Sequence, residues 1–352
     1  MIEKPRRKPA RLLGHAAVGA AIVSAGLLAL AYATPDSFAH SRGVLRRLFM
    51  LSFFVRTFEM HLGLALLMPL VILVALRRWM IAALILPVLA WTIGPLVASC
   101  LRPSNAILER PLRVMTANLL VGHSEVGALV AEINRFAPDV IFFQEYTPDK
   151  AAKLAYSLGK SYPFRVEGMR DHAFGEAIYS KVAFVSEPDL YPHQSIRSLG
   201  SLDGRAGGEA GIWDPQIRAV IEFEGSPIVL QNVHYAPPIH SSYLLEQRIM
   251  TKWLCDWLSQ ETRPVIIAGD FNCTTSSVNF SDLRRAGLSD SRSVASRGWA
   301  GTWPSSGLPS LLPVAIDHVL IRGLQCESST PGGDIASDHL PLLVTVGLGP
   351  AK

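Results

Sequence analysis

Pro264-Val265-Ile266-Ile267-Ala268-Gly269-Asp270-Phe271-Asn272-Cys273 opens as the apolar run of a buried strand, breaks at a glycine, and delivers a carboxylate and an amide. Asp270 and Asn272 stand two residues apart, so in extended backbone their side chains point the same way. Such a pair at the end of a buried strand suits a site that holds a water, a metal or a phosphate oxygen. Gly, Asp and Asn are also turn formers, and a strand followed by an Asx turn is the plain alternative. The rest of the chain decides between the two.

The 352 residues leave room for one large domain and a further segment. Mean hydropathy is +0.27, and almost all of the apolar surplus lies before residue 101. Charge divides at the same place. Residues 1–102 carry 12 Lys/Arg against 3 Asp/Glu, which leaves 21 against 26 for the remainder out of totals of 33 and 29. The acidic remainder speaks against a domain built to grip long polyanions, which carries a basic footprint. Cys100, Cys255, Cys273 and Cys326 show no CxxC spacing, so neither a zinc site nor a disulfide framework is implied, and one disulfide stays open.

Residues 1–102 read as a membrane segment with about three spans. A basic head is followed by the uncharged stretch Leu12–Thr34, long enough for a bilayer that needs about 20 residues. Its end, Ala31-Tyr32-Ala33, resembles a signal-peptidase site, which makes a cleaved leader the alternative. Further spans are expected from about Thr57 to Leu76 and from about Trp79 to Ser99, joined at Arg77-Arg78. Leu45–Phe54 reads as loop or interfacial amphipathic helix. Lys4, Arg6, Arg7, Lys8, Arg11, Arg77 and Arg78 outnumber Arg42, Arg46, Arg47 and Arg56, so the former side is expected in the cytoplasm. Three crossings then place the C-terminal domain on the extracytoplasmic side of the cell (inner) membrane; two or four would reverse this.

Residues 103–111 read as a linker and 112–350 as the catalytic domain, in which strands alternate with helices. Strands are expected at Leu112–Leu120, Val140–Phe143, after a turn within Ala173–Lys181, at Gln216–Phe223, Pro227–Asn232, Val265–Ala268, Val314–Ile321 and up to Val346. Helical spacing covers Ser124–Phe136, Thr147–Lys160 and Tyr243–Gln260, and Ser198–Gly211 reads as a flexible loop. Six strand ends carry polar residues suited to phosphate chemistry: Asn118, Glu145, His234, Asp270 with Asn272, Asp317 (inside its strand), and Asp338 with His339. Each has a plain alternative: a helix first-turn charge for Glu145, a satisfied core histidine for His234, a buried acid for Asp317, a turn for Asp338-His339. Those alternatives would have to hold independently at every place.

Taken in order, Thr116-Ala117-Asn118, Gln144-Glu145, Asn232-Val233-His234, Gly269-Asp270-Phe271-Asn272, Ile316-Asp317-His318 and Ser337-Asp338-His339 resemble the endonuclease/exonuclease/phosphatase superfamily. That superfamily includes deoxyribonuclease I-like nucleases, exonuclease III-like repair enzymes, neutral sphingomyelinases and inositol polyphosphate phosphatases. The resemblance covers about residues 112–347 and leaves the membrane segment outside. It implies an α/β fold, a four-layer sandwich of two packed mixed sheets with helices outside, and metal-dependent cleavage of a phosphoester by an activated water. It further implies Glu145 as the principal ligand of Mg²⁺ or Mn²⁺, with Asn118 and Asp338 in the metal shell. Asp270 is implied to orient or deprotonate the water, with Asn272 beside it at the phosphate. His339, oriented by Asp317, and His234 are implied at the phosphate and the leaving group. Whether Asp270 or His339 is the base stays open. Arg218 is a candidate for binding substrate phosphate, or else a surface arginine on an edge strand.

Some repair nucleases of the family carry an acid two residues after the first Asn; here that position is Leu120, which puts a repair-nuclease role in doubt. The expected substrate is a phosphoester, either a lipid head group at the membrane or, alternatively, extracytoplasmic DNA or RNA. Trp213, Tyr235 and Trp303 make an aromatic set that fits the first. A non-catalytic membrane-anchored binding module is the alternative of another class. No obligate protein partner is implied.

Overall fold

The computed structural model describes residues 7–103, 105, 107–193 and 214–349. The expected loop Ser198–Gly211, Trp213 and the head residues Lys4 and Arg6 lie outside them. The chain divides into two compact units, Met1–Arg102 and Pro103–Lys352.

The first unit is helical: α1 (Arg7–Ala33), α2 (Val44–Thr57), α3 (Glu59–Ala75), α4 (Trp79–Thr92) and α5 (Gly94–Cys100). Among the described residues, one helix, over Arg11–Ala33, is long and apolar enough to cross a membrane, or up to three if each bent pair counts as one span. The pairs bend by 67° between α2 and α3 and by 60° between α4 and α5. The second bend follows from Gly94-Pro95, since proline cannot continue the preceding hydrogen-bond ladder. Leu45–Phe54, read as loop or amphipathic helix, lies within α2.

The second unit holds two sheets. The six-stranded sheet is ordered β10 (Leu324–Pro331), β11 (Leu342–Leu348), β1 (Leu112–Asn118), β2 (Val140–Gln144), β4 (Glu176–Ser180) and β3 (Phe164–Gly168). The five-stranded sheet is ordered β5 (Arg218–Phe223), β6 (Ser226–His234), β7 (Val265–Asp270), β9 (Asp317–Arg322) and β8 (Ser289–Asp290). Between them, alternate residues interdigitate: Val114, Val140, Phe142 and Ile178 from one sheet meet Ala219, Ile228, Leu230, Ile266 and Val319 from the other. The opposite parity of the first sheet, Met115, Ala117, Ile141 and Phe143, is covered by Leu129 and Ile133 of α6 (Gly127–Phe136) and Leu154 of α7 (Pro148–Leu158). The second sheet is flanked by α8 (Ser241–Leu258) and α9 (Val278–Arg285), with a short α10 (Ser291–Ala295). Two sheets with helices on both outer faces make the four layers expected.

β5 and β6 join through Glu224 and Gly225, both at positive φ, the tight hairpin that suits strand twist. Asp317 is not inside its strand. β9 begins at Asp317 because Val314 bridges Trp303 instead, and β9 runs antiparallel to β7 with Asp317 opposite Asp270. β3, β8 and β10 carry no strong apolar alternation and are absent from the sequence reading.

Candidate active site

At one edge of the sandwich, the inward-facing rows of β1, β2, β6 and β7 change from apolar to polar. In β1 the row runs Leu112, Val114, then Thr116 and Asn118; in β2 it runs Val140, Phe142, then Gln144. In β6 Ile228 and Leu230 give way to Asn232 and His234, and in β7 Ile266 and Ala268 give way to Asp270. β9 enters at the same edge with Asp317 and continues into Val319 and Ile321. The six places therefore converge from two sheets, not from one.

A chain of polar contacts links them. Asp317 Oδ2 lies 2.9 Å from Nδ1 of His339. Nε2 of His339 is 3.8 Å, and Nε2 of His234 3.6 Å, from Asp270 Oδ2. Asn118 Nδ2 donates to Asp270 Oδ2 and to Glu145 Oε1, both at 3.1 Å. Asn272, at φ 47°, donates its backbone N–H to Asp270 Oδ1 at 2.8 Å and its amide to the Tyr235 carbonyl at 2.9 Å. His234 presents Nδ1 to the Ala173 carbonyl at 3.1 Å, with the Phe174 ring 5.2 Å away. Trp303 Nε1 donates to Asp338 Oδ2 at 3.1 Å.

Local backbone explains how two of these side chains arrive. Gly269 has φ 150°, and a Cβ there would come within 1.8 Å of the Val233 carbonyl oxygen. Only glycine lets β7 approach β6 closely enough to seat Asp270 beside His234. Glu145 follows β2 on the outward parity, but its φ of 56° turns the chain back. Its carboxylate then accepts from Asn118 and from the Val121 N–H.

Burial sets the charges. Burial disfavours the ionised forms of Asp270 and His339, but here mutual attraction wins. The charge of His339 and the bond to His234 hold Asp270 below the usual carboxylate range. Asp317 and Asp270 push His339 up to about 10. His234, also buried, is raised by its bond to Asp270.

Asn118, Glu145, His234, Asp270, Asn272, Asp317, Asp338 and His339 thus share one edge of the sandwich. Arg218 does not join them. It pairs with Gln231, and its guanidinium stacks over the α8 ring of Trp257 at 3.8 Å and near Trp253 at 5.3 Å. Four further residues complete the edge, of which Gln144 and Asn232 belong to the quoted motifs without an assigned role and Glu176 and Lys150 lie outside the sequence reading. Gln144 Nε2 donates across the sheets to Asn232 Oδ1 at 2.7 Å, while Asn232 Nδ2 donates to the Phe143 carbonyl at 2.9 Å. Glu176 is fully buried and its carboxyl is pushed well above the usual range, burial being the largest cause. Lys150 is buried beside Glu145, and burial lowers its ammonium to about 8 despite the charges of Glu145 and Asp149.

The sequence profile described as the endonuclease/exonuclease/phosphatase family matches residues 115–339. The chain belongs to that family. UPF0294 proteins of two Vibrio cholerae strains are 32% identical over 121 residues, which cover 34% of this chain and 40% of theirs. The match thus spans well under half the length of those relatives. Among solved structures, an endonuclease/exonuclease/phosphatase of Beutenbergia cavernae superposes with a TM-score of 0.55 at 20% identity, covering 68% of this chain and 72% of that one. A humanized TDP2 of D. rerio superposes with a TM-score of 0.52 at 16% identity, covering 67% and 99%. D. rerio TDP2 with a single-strand DNA product gives 0.51 at 15%, covering 68% and 100%.

The donor set fits a divalent metal. Glu145 is only half-buried, Asn118 stands beside it, and the buried Oδ1 atoms of Asp338 and Asp317 have no hydrogen-bond partner. A hard cation that keeps several waters suits such oxygens. Ligand atoms of Asp270, Asp317 and His339 also lie within 4.8 Å of one another, a second group able to hold an ion.

Proposed function

We propose that the chain hydrolyses a phosphodiester of a membrane lipid head group, by attack of a water aligned at Asp270. The chain of contacts from Asp317 through His339 and Asp270 to Asn118 and Glu145 carries this reading. A divalent ion such as Mg²⁺ or Mn²⁺, when held by Glu145 with Asn118 and Asp338, supplies positive charge to the non-bridging phosphate oxygens. Asp270, charged and fixed by Asn118 and Asn272, orients the attacking water and accepts its proton. Asp317 and Asp270 favour the protonated form of His339. In this reading it donates to the phosphate, with Asp317 fixing its orientation. His234 protonates the leaving oxygen. Low accessibility strengthens each of these interactions.

Three observations support a lipid over nucleic acid. Arg11–Ala33 is able to cross a membrane. Residues 301–316 carry no charged side chain, and this loop, with Leu308 and Leu311 exposed, bonds the Asp338 turn through Ser305. The remainder beyond residue 102 is acidic. The nuclease reading draws on the family and on the TDP2 complex with DNA. A mere binding module would have no use for both histidines and every carboxylate. The Lys/Arg bias supports an extracytoplasmic catalytic unit on the inner membrane; a C-terminal reporter reading cytoplasmic would reverse that.

The test is hydrolysis by the full-length chain in detergent, with Mg²⁺ or EDTA, of phospholipids, DNA, RNA and phosphomonoesters. Metal-dependent turnover of phospholipid is expected. Turnover of nucleic acid alone would replace the lipid reading, and no turnover of any diester would overturn the proposal.

A further inference from the structure

Lys150 is 1% exposed and sits in the first turn of α7, where the helix dipole disfavours a cation. Buried lysines are rare unless paired with an acid, yet this ammonium donates to two carbonyls: Leu120 O at 2.7 Å and Glu145 O at 3.1 Å. Both carbonyls belong to residues in the left-handed region, Leu120 at φ 54° and Glu145 at φ 56°. A branched or long side chain adopts that conformation only where its surroundings hold it there. These are also the two turns that aim the metal end of the site. The Leu120 N–H donates to Asn118 Oδ1 at 3.0 Å, and the next N–H, that of Val121, donates to the Glu145 carboxylate. A cation placed against both burial and the dipole, holding both strained turns, has its use in those turns.

We infer that Lys150 is a positioning residue for the metal-binding carboxylate: its ammonium clamps the Leu120 and Glu145 turns together, so that Val121 N–H and the Asn118 amide hold Glu145 in one orientation. The inference rests on the reading of Glu145 as metal ligand. At the position where some family nucleases carry an acid, this chain has Leu120 and uses its carbonyl to seat Lys150. Partners that orient a metal ligand are worth about 10–100-fold in metal affinity, and a loss of that size is expected here.

Mn²⁺ binding to the full-length chain, followed by electron paramagnetic resonance and calorimetry, reads this directly, with circular dichroism to verify folding. Lys150→Met is expected to weaken Mn²⁺ binding by about 10–100-fold. Lys150→Arg keeps the charge but cannot set a compact ammonium against both carbonyls, and is expected to weaken binding by roughly 3–10-fold. It serves as the deciding variant should Lys150→Met fail to fold. Unchanged or tighter Mn²⁺ binding in either folded variant overturns the clamp. Glu145→Gln separates the two layers of the reading. If Glu145→Gln binds Mn²⁺ as the wild type does, Glu145 is not the ligand. If Glu145→Gln loses the ion while folded Lys150→Met keeps it, only the clamp fails.

Discussion

The two sheets furnish the site in contrasting ways. The five-stranded sheet presents His234, Asp270 and Asp317 directly from strand ends, all buried and tied to one another or to His339. The six-stranded sheet presents Asn118 from a strand end but Glu145 from a left-handed turn, half-exposed and steadied by backbone and Lys150. The first half is buried throughout. In the second, Asn118 is buried and Glu145 alone of the two reaches solvent, which suits a cation that keeps its hydration. On the proposed reading, acid–base work falls to the buried group and charge neutralisation to the half-exposed Glu145.

Breaking the buried half should have the largest effect. Asp270→Ala and His339→Ala are each expected to lower kcat for diester hydrolysis by about 10³–10⁴-fold with an unchanged circular dichroism spectrum. Activity within tenfold of wild type in either would dissolve the contrast. Asp317→Asn should cost about 10²–10³-fold in kcat and bring the alkaline limb of the pH–rate profile down, because the charge that holds the proton on His339 is gone. The same linkage has a sign in stability. A histidine raised from the ordinary range to about 10 adds stability that is whole below pH 6.5 and lost as pH rises through about 10. The thermal midpoint should fall over that window in the wild type and less in His339→Gln.

The other half should respond differently. Glu145→Gln is expected to raise the Mg²⁺ concentration needed for half-maximal rate by more than tenfold, whereas excess Mg²⁺ should restore nothing in Asp270→Ala. Between the halves, Asn232→Leu strips the Gln144 amide of its acceptor and should cost about 1–3 kcal/mol, read as a lower thermal midpoint. The smallest effect is expected at Arg218→Ala. Loss of its stacking on Trp257 should cost on the order of 1 kcal/mol, with kcat unaltered.

Eight of the site residues were legible in the sequence because a polar side chain ending an apolar run is conspicuous wherever the run is buried. Arg218 stands apart from the other candidates because of a pairing register that only the fold supplies. Its cross-strand partner Gln231 is three residues from His234, an odd separation that puts the two on opposite faces. Asp317 read as interior to a strand because Val314–Ile316 are as apolar as β9 itself, and only pairing with β7 sets where the strand begins. Lys150 was invisible, since a first-turn lysine after Pro148-Asp149 looks like any solvated helix residue until α7 is packed. The edge strands β8 and β10, short or rich in Ser and Thr, lack the alternation that betrays a strand.

The Gln144–Asn232 amide contact has a bearing on substrate choice. It spans the two sheets beneath the site without involving any loop. On the proposed reading it acts as a caliper, fixing the gap between the strand ends of β2 and β6 that flank the site. Residues 306–311, beyond the contacts that Trp303 and Ser305 make with the Asp338 turn, are therefore open to exchange while that gap stays constant.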